Sequence, residues 1–288
     1  MIEWYYFALL SSIMLGMFTI IEKFYLKRGH ATAFTSAFSF IAAIISLPLL
    51  LFAQNLSFTW FQLALVFANG VLIALTYLLA ARVYKHGSVS VASAAFSSLP
   101  SVFVVLLALP LLGETLTLTQ YVSIAVITVV IYSLLFERSK YKAFESNKYM
   151  ALIMVRSFLV AAQAILTKYI LSMGVDVFAF FVISEVFVAF DFALFISFKY
   201  GGMKEIVSTV KQSALPIILT AMLTLGYGLA YYLSLMGADV SLVTPVRNTI
   251  YVVMTVLAGG LFFREDNIEK KLALSAILLL FTYLLIAG

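Results

Sequence analysis

The chain has no cysteine, which excludes a disulfide framework and any thiolate metal site. Charge is almost as scarce. Asp, Glu, Lys and Arg make up 11% of the 288 residues, against roughly 25% in soluble domains. There are two histidines, His30 and His86, both at expected loop edges. No HExxH, GxSxG, paired Asp-rich or ATP-binding motif occurs, so metal hydrolysis, serine chemistry, prenyl transfer and nucleotide-driven work lack their usual residues. No hydrophilic stretch is long enough for a soluble signalling domain, which tells against a receptor or sensor. No cofactor or metal is expected.

What the chain does have is apolar surface. Hydrophobic residues reach 64% and mean hydropathy is +1.10, more than one core of this size can hide. Lipid is therefore expected to be the outside of the protein. Runs near 20 residues match a hydrocarbon layer of about 30 Å at about 1.5 Å per residue, the length of a membrane-crossing helix. Long unbroken runs such as Leu272–Ala287 argue against a β-barrel. The fold class is thus an all-α integral membrane protein, with spans expected at 4–26, 33–53, 60–81, 88–112, 118–136, 149–171, 176–199, 213–235, 238–262 and 271–287. Met1–Leu26 is too apolar and lacks the basic start of a signal peptide, so it is expected to be retained as the first span.

The longest hydrophilic run, Glu137–Lys148, divides two stretches of five expected spans each. Fourteen of the 18 Lys and Arg residues fall in loops after odd-numbered spans; Lys23, Arg156, Lys168 and Arg247 fall inside spans, and the opposite side has none. The positive-inside rule therefore puts the linker 137–148 in the cytoplasm and both termini outside, in a multi-pass protein of the cell membrane. The net charge of +5 marks a basic membrane face here, not a nucleic-acid surface. Trp4 and Trp60 lie where an outer aromatic belt is expected, and Asn55–Leu56–Ser57 is a glycosylation sequon on that side.

The halves also resemble each other. Lys23 falls over Lys168 and Gly29 over Gly174; later, Ser90 falls over Ser241 and Glu114 over Glu265. The offset moves from 145 to 151 near Gly201. An odd number of spans per half makes the copies inverted, so residues 1–136 and 149–288 are expected to be two inverted five-helix repeats. That plan places a solute site at the interface of the repeats in secondary transporters.

The segment after the fourth span carries a further pattern: Pro100, then Leu112–Gly113–Glu114–Thr115, with Gln120 following. It resembles the drug/metabolite transporter superfamily, its EamA-type members in particular, where a Pro precedes an apolar stretch ending in LGE, followed by Thr and Gln. The second half departs from this, with Phe263–Arg264–Glu265–Asp266 and with Tyr251 near the proline position. The resemblance implies ten helices as five plus five and a transport role. It implies no substrate.

In the ninth span, Ser241, Thr244, Asn248, Tyr251 and Thr255 recur at spacings of three and four, one stripe of a helix face, with Arg247 at its edge. In the fourth span, Ser90, Ser93, Ser97 and Pro100 occupy the corresponding face. A polar stripe in both copies suits a shared central cavity; the alternative is that Ser and Thr bond their own helix carbonyls. Tyr227 and Tyr231 share a face of the eighth span beside Gly226 and Gly228. They offer a π face and a hydroxyl to an organic solute, or pack against neighbours.

Depth within the membrane pairs the buried charges. Glu185 and Arg247 both lie roughly 13–15 Å from the outer edge, and Asp191 and Arg156 roughly 10–12 Å from the cytoplasmic edge. Two ion pairs are expected from this. Arg247 is the candidate anchor for a substrate carboxylate or phosphate, and Glu185 the candidate carrier of a coupling proton. Lys23 and Lys168 are expected to snorkel. The expected partners are a small solute, the lipid bilayer and protons as a candidate coupling ion, with no nucleic acid and with the chain a monomer or homodimer; an intramembrane enzyme, a sensor or a channel is the rival class.

Overall fold

A computed structural model describes residues 3–26, 31–86, 89–135, 147–199, 202–263 and 268–288, and these are helical with no strand among them. The helices are α1 (Trp4–Leu26), α2 (Ala31–Ser46), α3 (Trp60–His86), α4 (Val89–Leu112), α5 (Leu118–Leu135), α6 (Asn147–Ser172), α7 (Val177–Lys199), α8 (Met203–Gln212), α9 (Ala214–Gly237), α10 (Val240–Phe263) and α11 (Ile268–Ala287). Among the described residues nine helices are long and apolar enough to cross a bilayer, and α5 contains a shorter apolar stretch, Leu118–Ile131. The chain is an all-α, multi-pass integral membrane protein. Linker residues 137–146 and the positions Lys27, Arg28, Gly29, Gly201, Arg264 and Glu265 lie outside the described residues, as do the side chains of Lys85 and Ser90.

Two elements differ from the sequence reading. The second span does not stay α-helical to residue 53. It tightens into a 3-10 turn over Leu47–Phe52, because Pro48 has no N–H to continue the α-helical ladder. The second departure is α8, which occupies what reads as loop. It is amphipathic: Ile206 and Thr209 are buried while Met203, Val207, Lys204 and Lys211 are exposed. Ile206 packs into the cluster formed by Phe34, Phe38 and Ile217. This helix falls where the repeat offset changes.

The neighbour pattern maps onto itself when the halves are exchanged, α1 with α6, α2 with α7, α3 with α9, α4 with α10 and α5 with α11. Thus α1 packs on α9 as α6 packs on α3, α1 on α10 as α6 on α4, α3 on α7 as α9 on α2, and α4 on α5 as α10 on α11. Of the five pairs that exchange into themselves, α4–α10, α2–α7 and α5–α11 also touch. Asn248 and Ser97 are 151 residues apart, the offset of the later repeat, and Asn248 Nδ2 donates to the Ser97 carbonyl at 3.2 Å. Two residues separated by the repeat offset are thus in direct contact.

Between helices in lipid there is little hydrophobic gain from association, so close packing has to hold them. Ala8, Ser12 and Gly16 are all buried on α1, and Ser12 donates to the Arg247 carbonyl of α10 at 2.8 Å. A Cβ on Gly16 would stand 2.9 Å from Met254 Cβ. The outer surface is left to large apolar side chains such as Leu51, Phe198 and Tyr283.

Candidate functional site

Helices from both halves enclose a cavity of about 110 Å³, several times the roughly 10–15 Å³ that one water needs. Its lining comes from α1, α3, α4, α6, α7, α9 and α10 and includes Glu22, Arg156, Gln163, Glu185, Arg247 and Asn248. Two carboxyl and two guanidinium side chains therefore line a single small space in a protein that has few to place.

The two arginines are held in different ways. Arg247 donates through Nε to Ser11 Oγ at 2.9 Å, and its guanidinium carbon lies 4.3 Å from the Tyr231 ring centroid and 5.7 Å from that of Tyr227. Arg156 donates through Nε to the Thr76 carbonyl at 3.3 Å and lies 3.9 Å from the Phe96 ring centroid. In each case the fork is fixed at Nε and stacked on an aromatic face, a geometry that favours planar anions. Tyr227, Tyr231, Asn248 and Tyr251 line the same space, so the structure brings these predicted residues together with Arg247 and Glu185.

The polar stripe of α10 divides by depth. Ser241, at the helix start, is bonded to Glu114. Thr244 lies behind the cavity wall, sharing a 3.2 Å hydrogen bond with the Tyr231 hydroxyl. Tyr251 forms the hub of a hydroxyl cluster with Thr19 at 3.2 Å, Ser93 at 3.0 Å and Tyr84. Thr255 bonds carbonyls of its own helix, as the alternative reading of such stripes holds. On α4, Ser93 supports Tyr251, and Ser97 is fully buried with its hydroxyl unpartnered and its carbonyl taken by Asn248. Ser93, Ser97 and Thr244 thus position lining residues without lining the cavity themselves.

The expected ion pairs do not form. Among the described residues, neither Glu185 with Arg247 nor Asp191 with Arg156 meets within 4.0 Å. Glu185 is 4% exposed, lines the cavity and leaves Oε2 without a hydrogen bond. Asp191 is half-buried, also has an unpartnered oxygen, and is not part of the cavity wall. Depth supplies one coordinate of three: Glu185 and Arg247 line one cavity without meeting, and Asp191 lies off the wall that Arg156 joins. The acid that Arg156 feels is Glu22, a residue the sequence reading passed over.

Lys23 and Lys168 do not snorkel to water. Lys23 is 8% exposed and donates to the Tyr84 carbonyl. Lys168 donates to the carbonyls of Leu235 and Ala238 at 2.7 and 2.9 Å, closing the C-terminal end of α9, where a cation is favoured. Other cavity residues missed by sequence are Tyr77, which shares a 2.5 Å hydrogen bond with Tyr227, and Tyr232, tied through Asn69 and Thr167 to Gln163.

The LGE segment acquires a physical meaning. Gly113 has φ +69° with open space around it, the left-handed turn that ends a helix at glycine. That turn carries Glu114 to the start of α10, where its carboxylate accepts from Val240 N at 2.8 Å, Ser241 N at 3.0 Å and Ser241 Oγ at 2.5 Å. An acid at a helix N-terminus satisfies free N–H groups and complements the dipole. Gln120 then closes a reciprocal cap with Thr117: Thr117 N donates to Gln120 Oε1 at 2.9 Å, and Gln120 N to Thr117 Oγ1 at 3.2 Å. Beside this clasp, in the turn between α9 and α10, burial pushes the Asp239 carboxyl above its usual range; Glu114 adds to the shift and Lys168 opposes it.

A solved crystal structure superposes with a TM-score of 0.67, covering 98% of this chain and 94% of that one at 13% identity, which establishes a shared fold. No curated protein matches by sequence. The model of the EamA-like transporter family matches residues 2–136, the stretch that holds α1 to α5 and the Gly113–Glu114 turn. That first half is thus similar to the EamA-like transporter family of the drug/metabolite transporter superfamily.

Proposed function

We propose that this membrane transporter is a secondary carrier that moves a small organic, amino-acid-like or otherwise polar solute by alternating access through the central cavity. The observation that carries the reading is a cavity walled by helices of both halves, with Arg247 fixed on Tyr231 and facing Glu185 across the same space. Helices that exchange partners symmetrically give two arrangements of similar energy, which is what alternating access between inverted repeats needs. Residues 1–136 and 149–288 are the two moving units, the linker 137–148 is cytoplasmic, the termini are outside, and the membrane is that of the cell. The sequence contains no nucleotide-binding motif, so the driving force is a solute gradient, a counter-solute or a proton.

The test is thermal stability of the purified protein against amino acids, amines, nucleosides, sugars and phosphate esters, run in parallel on Arg247→Gln. A ligand at 100 Kd raises stability by about 2.7 kcal/mol. One class that stabilises the wild type and leaves the variant unchanged is the expected result. A variant that is merely less stable, with no ligand for either protein, makes Arg247 a structural group and removes the reading.

A further inference from the structure

On the reading that the cavity is the solute site, we propose that Glu22 and Arg156 together form a proton-gated anion site within it. Glu22 is 2% exposed, its Oε2 has no hydrogen-bond partner, and it lines the cavity. Buried charges are ordinarily paired, and a carboxylate left in this state either meets a cation or takes a proton. The cation that shares its cavity wall and acts on its charge is Arg156, which the Thr76 carbonyl and the Phe96 ring hold. Its one hydrogen bond among the described residues uses Nε, so the remaining guanidinium edge is available to a ligand oxygen.

Among the described residues, the other cations nearby are already engaged. Lys23, on the same helix, is engaged with the Tyr84 carbonyl. From α3 come Tyr77 and Tyr84, from α9 Tyr227 and from α10 Tyr251, all in hydroxyl hydrogen bonds. Arg247 of α10 is held by Ser11 and stacked on Tyr231, and of the two cavity arginines it is Arg156 whose charge acts on Glu22; Glu185 of α7 carries the same sign as Glu22. One proton on Glu22 therefore decides whether Arg156 has a partner charge inside the cavity.

The exchange balances. Water at the open side gives a proton to Glu22 Oε2, and an O–H bond forms. Arg156 then accepts a monoanionic group of the solute, and proton and anion occupy the cavity as a neutral sum. Return of the proton to water restores the carboxylate, which competes for Arg156 and favours release of the anion. Glu22 and Arg156 come from α1 and α6, the matching helices of the two halves, so the switch spans the interface that has to move.

Two measurements test this in lipid nanodiscs. The first is the infrared carboxyl band that titrates between acidic and alkaline buffer, which needs no solute. It is expected to lose a component in Glu22→Gln and to keep it in Asp191→Asn; an unchanged band in Glu22→Gln overturns the proposal. The second is stabilisation by methanesulfonate, which stays a monoanion across this range, and by acetate in buffers well above its own titration. Wild-type affinity is expected to fall about tenfold per pH unit above the carboxyl titration, as linkage of one proton to one anion requires. Glu22→Gln is expected to bind at all pH values and Arg156→Gln at none. Equal pH dependence in wild type and Glu22→Gln overturns the proposal, as does the absence of any anion effect. The band assignment does not depend on transport, so its failure is distinguishable from failure of the carrier reading.

Discussion

Arg156 and Arg247 stand at equivalent crossings of the two halves and are built in opposite senses. Ser11 and Arg156 are 145 residues apart, and Phe96 and Arg247 are 151 apart, the two offsets of the repeat. At the α6–α4 crossing, Arg156 lies on Phe96. At the α1–α10 crossing, Ser11 accepts from Arg247. Each crossing has one guanidinium, contributed by the first helix of the repeat in one case and by the fourth in the other. The contact pattern is doubled while the chemistry is divided, so the cavity wall has two arginines in unlike settings, Arg156 on Phe96 and Arg247 on Tyr231.

The sharpest way to break this comparison is to rebuild one crossing as the other. Ser11→Arg alone puts a second guanidinium against Arg247 in a fully buried position, an unpaired buried charge that costs about 3–5 kcal/mol. Loss of monodisperse protein on size-exclusion chromatography is the expected outcome. Adding Arg247→Phe recreates the arginine-on-aromatic pairing of the other crossing, and recovery of folded protein by the double variant is expected. If the double variant is no better than Ser11→Arg, the two crossings are not interchangeable.

A smaller effect separates the clasp from the cavity. Glu114→Ala removes three hydrogen bonds to a charged acceptor, each of which contributes roughly 1.5–3 kcal/mol. Tm is expected to drop, while ligand stabilisation measured at the lower Tm persists because Glu114 does not line the cavity. Smaller again is Thr117→Ala, which breaks the cap of α5 and is expected to cost about 0.5–2 kcal/mol; a Gln120→Ala variant of equal stability loss, with no further loss in the double, would confirm a single reciprocal cap.

The smallest effect is a pH dependence at the α9–α10 turn. The Asp239 pKa is raised in the folded protein, so the folded state binds its proton more tightly than the unfolded state does. Stability from this group is gained as pH falls through the raised pKa and lost as pH rises through it. Asp239→Asn is therefore expected to raise Tm slightly at neutral pH and to match the wild type in acid. A Tm difference that grows on acidification contradicts the assignment.

The spans were legible because hydropathy over twenty residues leaves few alternatives, and the Arg247–Tyr231 wall because a charge in such a helix demands a reason. α8 was not legible: its face alternates Ile206 and Thr209 inward with Lys204 and Lys211 outward, and a hydropathy average reads that as loop. Glu22, Tyr77 and Tyr84 were passed over because nothing in a single sequence tells which azimuth of α1 or α3 faces a cavity. The ion pairs failed for the same reason. The role of Glu114 needed the Gly113 turn and the start of α10 in one frame, although both carry sequence signals.

The central claim is that one cavity between the halves is reached from both sides of the membrane. Because the chain has no cysteine, single cysteines at Thr76 and Gln163, both in the cavity wall, report access without background. With oriented membrane vesicles and a membrane-impermeant maleimide added to one face at a time, labelling from either face is expected, with a solute that fills the cavity slowing both. Labelling confined to one face under every condition, or absent from both, contradicts alternating access through this cavity.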